Sequence, residues 1–197
     1  MTIGYSTHWP KTMGPEYAGK PNHFPNKIMK YCWQNIPYQT NDYVLNQTEK
    51  DKLLFDKIQP FGSISVFEQE KLIPKLHTFR HDLNDRWKVG MKIHPVIHNR
   101  TKNRFQFAPE LVVKSIQKIR IKVIDEIQKH YSYTIKTKLS GETYLKHFEV
   151  YIDDRFLTKM EVRELATNDG FESVEQFFAW FNKDFTGKII HWTNLKY

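Results

Sequence analysis

Residues 118–123 alternate strictly, with Ile119, Ile121 and Val123 on one side and Lys118, Arg120 and Lys122 on the other. A period of two sends successive side chains to opposite faces of a strand, so this run predicts a half-buried strand with three cations outward. Such a strand needs partners. Tyr131, Tyr133 and Ile135 begin a second run, and Phe148, Val150 and Ile152 a third, with Ser140-Gly141 between them as a turn. These two runs read as a hairpin. Residues 64–67 and 188–193 are also β-prone, the latter as a closing strand. Residues 92–98 are interrupted by Pro95, which has no N–H for a ladder, so an edge strand or a bulge is expected there.

Helix signals stand at two places after the hairpin. Thr158 with Glu161 and Ser173 with Gln176 have the spacing of capping boxes, and Asp169-Gly170 lies between them, where glycine can end a helix at positive φ. Phe177, Phe178, Trp180 and Phe181 crowd the second helix and are expected mostly in the core. The first third is different. Residues 1–62 hold six of the nine prolines and predict short elements between turns. One helix is expected after Asn22, with Pro25 in its first turn and Phe24, Ile28, Tyr31 and Cys32 on one face. Another is expected from Thr48, which can cap it, with Asp51 three residues on and Leu54, Phe55 and Ile58 as its apolar stripe. No acidic or Gly/Ser linker separates this part from the rest. The expected fold is therefore α+β: a mixed β-barrel with flanking helices (63–197) and an aromatic, Pro-rich N-terminal extension (1–62) packed on it.

Composition narrows the function classes. The chain of 197 residues carries a formal net charge of +8, with 14 Phe, 10 Tyr and 5 Trp. Excess cations ease the approach to a polyanion, and flat side chains either fill a core or stack on bases. Cys32 is the one cysteine, among Met29, Tyr31 and Trp33, and reads as a buried structural thiol. The opening MTIGYSTHWPKTM lacks the apolar run of a signal peptide, and no run approaches transmembrane length. The expected setting is the cytoplasm, with no membrane partner. His77 and His81, like His94 and His98, are four apart, but their segments do not read as helix and no third ligand accompanies them, so no metal is expected. Nucleotide-loop and hydrolase motifs are absent and no cofactor is expected.

Two stretches carry a family resemblance. At 72–82 the chain reads LIPKLHTFRHD, followed by RWKVGMKIHPVI at 86–97; at 165–181 it reads LATNDGFESVEQFFAWF. A lysine, then Thr-x-Arg, then a glycine leading into a strand is similar to the signature of ASCH domains. Lys75, Thr78, Arg80 and Gly90 match it; Phe79 replaces Ile, and Ile73-Pro74 stand where the family has a glycine before the lysine. The acidic-Gly-Phe turn between two helices resembles the same family, as does KIIHWT as its final strand, and the opening YSTHWPKTM looks like its first strand. The firm resemblance spans residues 70–100 and 155–197.

The resemblance implies a PUA-like barrel that binds RNA or a nucleotide. One branch of the family looks like an amidohydrolase that deacylates acetylated cytidine with a lysine, a threonine and an acid; those roles would fall on Lys75, Thr78 and Asp169. A threonine needs a neighbouring base, a desolvated lysine can be one, and a carboxylate can pass a proton to the leaving amine. Asp169 stands where that branch has Glu. Because a misplacement of about 1 Å can cost about a hundredfold in rate, the shorter acid favours binding over hydrolysis. The plainer readings are that Thr78 and Arg80 end a strand and pair with Asp82 or Asp85, and that Asp169 only ends a helix.

Between residues 71 and 104 lie nine cations, among them Lys75, Arg80, Arg86, Lys88, Arg100, Lys102 and Arg104, opposed by Asp82 and Asp85. Arg100, Lys102 and Arg104 share the run HNRTKNRFQF with Phe105 and Phe107. Cations neutralise phosphates and aromatic rings stack on splayed bases. Joined to the 118–122 face, they predict a basic stripe on the barrel. The leading expectation is a module that binds RNA, other nucleic acid or a nucleotide through Lys75, Arg80, Arg86, Lys88, Arg100, Lys102, Arg104 and Phe105. The alternatives are a hydrolase acting on a modified nucleoside or RNA, and a protein-interaction scaffold using the aromatic N-terminal part.

Overall fold

A computed structural model describes residues 1–35, 39–40, 43–44, 71–124, 133–139 and 142–197. The expected helix from Thr48, the strand at 64–67, the turn at Ser140-Gly141, Tyr131 and the 62/63 boundary lie outside the described residues. The alternating run forms the middle of β8 (Ser115–Ile124), which pairs antiparallel with β10 (Glu142–Ile152) on one side and β12 (Phe185–His191) on the other. Ile119 and Ile121 are buried, while Lys118 and Lys122 are exposed, as a period of two requires. β9 (Tyr133–Leu139) forms the expected hairpin with β10, β11 (Arg155–Phe156) pairs with β10 as well, and β4 (His77–Arg80) pairs with β12. The result is an antiparallel sheet that curls into half a barrel.

A second sheet is built around β5 (Lys92–Ile97). It pairs parallel with β1 (Thr2–Gly4) on one side and antiparallel with β6 (Phe105–Gln106) and β7 (Leu111–Val112) on the other. β5 is thus flanked on both sides and is not an edge strand, one of the two outcomes that Pro95 suggests. The His94 amide donates to Met1 O at 2.8 Å, on the β1 side, so position 95 turns its nitrogen the other way. There β7 meets residues 92 and 93 and β6 meets residues 96 and 97, and Pro95 falls in the interval between them. Proline is tolerated because no ladder bond is required of its nitrogen. A short ladder joins β2 (Gln39–Thr40) and β3 (Tyr43–Val44).

Three α-helices lie wholly within the described residues. α1 (Phe24–Asn35) has Pro25 in its first turn and buries Phe24, Ile28, Met29 and Cys32. Burial pushes the Cys32 thiol up to about 12, which keeps it protonated and unreactive. α2 (Lys159–Asn168) starts with the full capping box: the Thr158 side chain accepts from the Glu161 amide and the Glu161 carboxylate accepts from the Thr158 amide. α3 (Val174–Trp180) has only half of one. Ser173 Oγ accepts from the Gln176 amide at 3.1 Å, but the buried Gln176 side chain accepts from the Glu172 amide at 2.9 Å, one position earlier than the box requires. Phe177, Phe178 and Phe181 are buried and Trp180 packs at the core margin.

The opening YSTHWPKTM is not a strand beyond Tyr5, where β1 has ended. It forms a loop closed by Trp9 N to Lys20 O and Gly19 N to Trp9 O, both 2.9 Å, with a single 3-10 turn over Lys11–Met13. Pro10 lacks an N–H and Gly14 sits at φ +86°, and together they break any continuing ladder. Trp9 instead enters the core, stacked on Phe171 at 5.4 Å. One hydrophobic core runs from Ile3 through α1 and both sheets to Trp192, so the described N-terminal residues are part of its wall. No helix among the described residues is long and apolar enough to cross a membrane.

Candidate functional site

The site is built where the segment before β4 meets the end of α2. The Lys75 amide donates to Lys27 O at 3.2 Å and the Leu76 amide to Asn168 O at 2.8 Å, tying this segment to α1 and α2 at once. Asp169 ends α2, its amide bonded back to Leu165 O, and Gly170 follows at φ +90°. A Cβ at Gly170 would also press on the Phe24 ring at 3.2 Å, so both backbone and space call for glycine. The last carbonyls of a helix lack intrahelical partners. Here they take buried cations: Lys75 Nζ donates to Asp169 O, and Lys27 Nζ donates to Gly170 O at 2.7 Å.

Lys75 and Asp169, 94 residues apart, form an ion pair with Nζ 2.5 Å from Oδ1. Both are buried, and Lys75 Nζ lies 4.5 Å above the Phe24 ring. Desolvation pulls the Lys75 ammonium down to about 8, against the opposing pull of Asp169. The expected phosphate ligand Lys75 is therefore an interior group whose charge is already matched. Asp169 does end a helix, as its plainer reading has it, and it also holds the lysine.

β4 alternates across this point. His77 stacks on Phe79 at 5.4 Å on one face. Its Nδ1 is 3.4 Å from Asp169 Oδ1, and its Nε2 bonds Tyr197 Oη at 2.7 Å, where Asn168 Nδ2 also donates at 3.0 Å. On the other face the Arg80 guanidinium lies 5.3 Å from the Tyr5 ring and donates to Gly4 O at 3.1 Å. The Tyr5 hydroxyl is buried with the Thr78 and Arg80 side chains as its polar neighbours, close enough to feel Asp169, but neither neighbour meets it in full hydrogen-bond geometry. Burial raises the Tyr5 phenol well above its ordinary value, with Arg80 opposing, so the hydroxyl keeps its proton. Arg80 Nε is likewise buried without a partner. Lys75, Thr78, Arg80 and Asp169 thus converge. Tyr5, His77, Asn168 and Tyr197 join them unannounced; Tyr5 and Tyr197 come from the two ends of the chain, where no local pattern marks them.

The other expected binding residues lie elsewhere. Asp82 accepts the amides of Arg86 and Trp87 at 2.9 and 3.1 Å and pairs with Lys188 at 3.0 Å; Asp85 pairs with Lys88 and Lys188. Neither acid pairs with Arg80. Arg100, Lys102, Arg104 and Phe105 are exposed, and Phe107 is core. Their loop reaches the site's rim through β1: Arg104 donates to Thr2 Oγ1 at 3.2 Å, and a Cβ on Gly4 would sit 2.8 Å from that of Asn99. The stripe on β8 is not continuous. Arg120 is drawn to Asp154 (3.7 Å) over the Tyr151 ring (4.6 Å), and Lys122 faces Glu149 across the sheet. Among the described residues no three His, Cys, Asp or Glu groups are placed to hold a metal.

His191 stands beside His77 at 5.1 Å, with both ring nitrogens buried and unpartnered. Burial, aided by His77, pulls it down from 6.5 to about 3. Between those pH values the unfolded chain binds a proton that the fold does not, so stability falls as pH drops through this window. We expect His191→Gln to lessen that loss, read as the pH dependence of urea midpoints; parallel curves for both proteins would refute it. Compared with known proteins, the chain matches no family model, no curated protein and no solved structure.

Proposed function

We propose that the chain is a PUA-like module of the ASCH type that binds RNA or a nucleotide, with a base held at Tyr5, Thr78 and Arg80. The observation that carries this reading is the pair of buried polar atoms there that no neighbour satisfies in full hydrogen-bond geometry, Tyr5 Oη, beside Thr78 and Arg80, and Arg80 Nε. Buried polar atoms without partners are costly, and a ligand that supplies acceptors relieves that cost. The exposed cations Arg100, Lys102 and Arg104 adjoin the site through Gly4 and Thr2 and can take the phosphates, with Phe105 beside them for stacking. Arg86 and Lys88 lie before β5, where Lys88 is already paired with Asp85.

The test is fluorescence anisotropy with labelled single-stranded RNA, duplex RNA and DNA over a range of salt. The expected result is binding to single strands that weakens with salt, with the log–log slope reduced by about 0.7 for each phosphate contact removed by Arg100→Ala or Lys102→Ala. Arg80→Ala is expected to weaken binding by at least as much, with less change in slope. No binding of any of the three at low salt would end this reading.

A second reading is favoured by the Lys75–Asp169 pair: an amidohydrolase acting on an acylated nucleoside. Neutral Lys75 accepts the Thr78 hydroxyl proton as Oγ1 attacks the acyl carbon. Collapse breaks the C–N bond, Asp169 relays the proton to the leaving amine, and water then hydrolyses the acyl-threonine ester. Since the lysine loses its proton near pH 8, the rate should climb with pH to a plateau above that point. Acetylated cytidine is the probe, and Thr78→Ala should abolish turnover. Absence of turnover by the wild type across this range would sink the second reading and leave the first standing.

A further inference from the structure

We propose a second ligand site, on the opposite side of the 74–76 segment, that takes a nucleoside monophosphate unit. A cavity of about 300 Å³ opens between the end of α1 and the end of β12, lined by Tyr31, Gln34, Asn35, Lys114, Trp192 and Asn194. Pro74 and Leu76 also line it, whereas Lys75 between them is buried against Asp169. The segment therefore turns Lys75 toward Asp169 and away from this cavity, while the residues on either side of it face the cavity.

The wall chemistry fits one kind of ligand. The Tyr31 and Trp192 rings lie 6.5 Å apart at 60°, and Tyr31 Oη donates to Trp192 O at 3.2 Å, which holds the aromatic corner in place before anything binds. Trp192 is buried and backs the corner, so the half-buried Tyr31 ring is the surface on which a base can stack. Gln34 and Asn194 supply carboxamides, each both donor and acceptor, which suits the mixed edge of a heterocycle, while the Asn35 Nδ2 donates to Tyr31 O at 2.9 Å. Among the described residues no carboxylate lines the cavity, and the one cation there is the exposed Lys114. Among the described residues no acid pairs with Lys114, and its backbone amide is anchored to His191 O at 2.8 Å. The end of α1 presents carbonyls and a partial negative charge, which repels a phosphate and attracts base N–H groups. Base toward the helix end and phosphate toward Lys114 is the orientation these charges allow. The volume is at the lower end for small-molecule pockets and suits a single nucleotide.

Free nucleotides and single-stranded RNA share this chemistry, and calorimetric titration can separate them. The titrants are the four ribonucleoside monophosphates, the matching nucleosides and short single-stranded RNA. At least one monophosphate should bind saturably. Lys114→Ala should weaken it about tenfold or more while leaving the nucleoside nearly unchanged, as expected for loss of a charged hydrogen bond. Gln34→Ala and Asn194→Ala should weaken both. These positions are exposed, so the variants keep the fold. Tighter binding of the RNA than of the monophosphate makes a strand the natural ligand; binding of the monophosphate alone makes it a free nucleotide. If nothing binds, or if binding survives all three changes and is lost in Thr78→Ala, this site is overturned; the latter result leaves the function proposed above intact.

Discussion

Lys75→Ala is expected to destabilise the protein by about 3–5 kcal/mol, the range for leaving one member of a buried ion pair without its partner. Removing Nζ strands the Asp169 carboxylate in the interior and frees the Asp169 carbonyl at the end of α2, both of which Lys75 now satisfies. The Nζ–Phe24 contact goes as well. Urea unfolding measures the loss. The double replacement Lys75→Met with Asp169→Asn removes both charges and should recover most of it, since a buried pair exchanged for neutral groups of similar size is often close to neutral in stability. A loss below about 1 kcal/mol for Lys75→Ala would mean that the pair behaves like an exposed one. If Lys75→Met/Asp169→Asn folds well yet neither binds RNA nor turns over acetylated cytidine, the pair acts in function and not in folding alone.

Phe24→Ala should cost a similar amount, about 3–5 kcal/mol. Its ring lies at the centre of an aromatic group, edge-on to Trp9 at 5.1 Å, Phe171 at 5.6 Å and Trp180 at 6.1 Å. It also packs against Gly170 and under Lys75. The cavity left behind would therefore open at the point where α1, the N-terminal loop and the α2–α3 turn meet. Phe24→Leu keeps most of the volume and should cost less than half as much while still losing the contact with the Lys75 charge. Urea midpoints give the stabilities, and tryptophan emission reports on Trp9 and Trp180 directly. Equal losses for Ala and Leu would show that ring stacking, not volume, sets the energy.

Both changes act at positions whose importance is tertiary. The period of two at 118–123, the Phe148–Ile152 face and the reciprocal Thr158–Glu161 cap are local codes, and the fold honours each of them. Pro95 misleads because a missing N–H is costly only if a partner strand waits for it, and whether β6 or β7 does so depends on residues 10 to 20 positions away. Gln176 misleads on a smaller scale: the spacing to Ser173 is right, but burial turns its side chain to the Glu172 amide.

The site divides in the same way. Lys75, Thr78, Arg80 and Asp169 are singled out in the sequence by motif, and the structure brings Lys75 and Asp169 into one buried pair. The Tyr5 hydroxyl, the unpartnered His191 ring and Tyr197 carry no such mark. The charge of +8 predicts an affinity for polyanions but not where it acts, since Asp82, Asp85 and Asp154 each take cations that would otherwise extend the basic face. By itself the sequence determined strands, caps and the helix-ending Gly170, because period, capping and positive φ are properties of neighbouring residues. Only the tertiary structure decided which charges are matched and buried and which remain outside, because desolvation and pairing depend on groups brought together across the whole length of the chain.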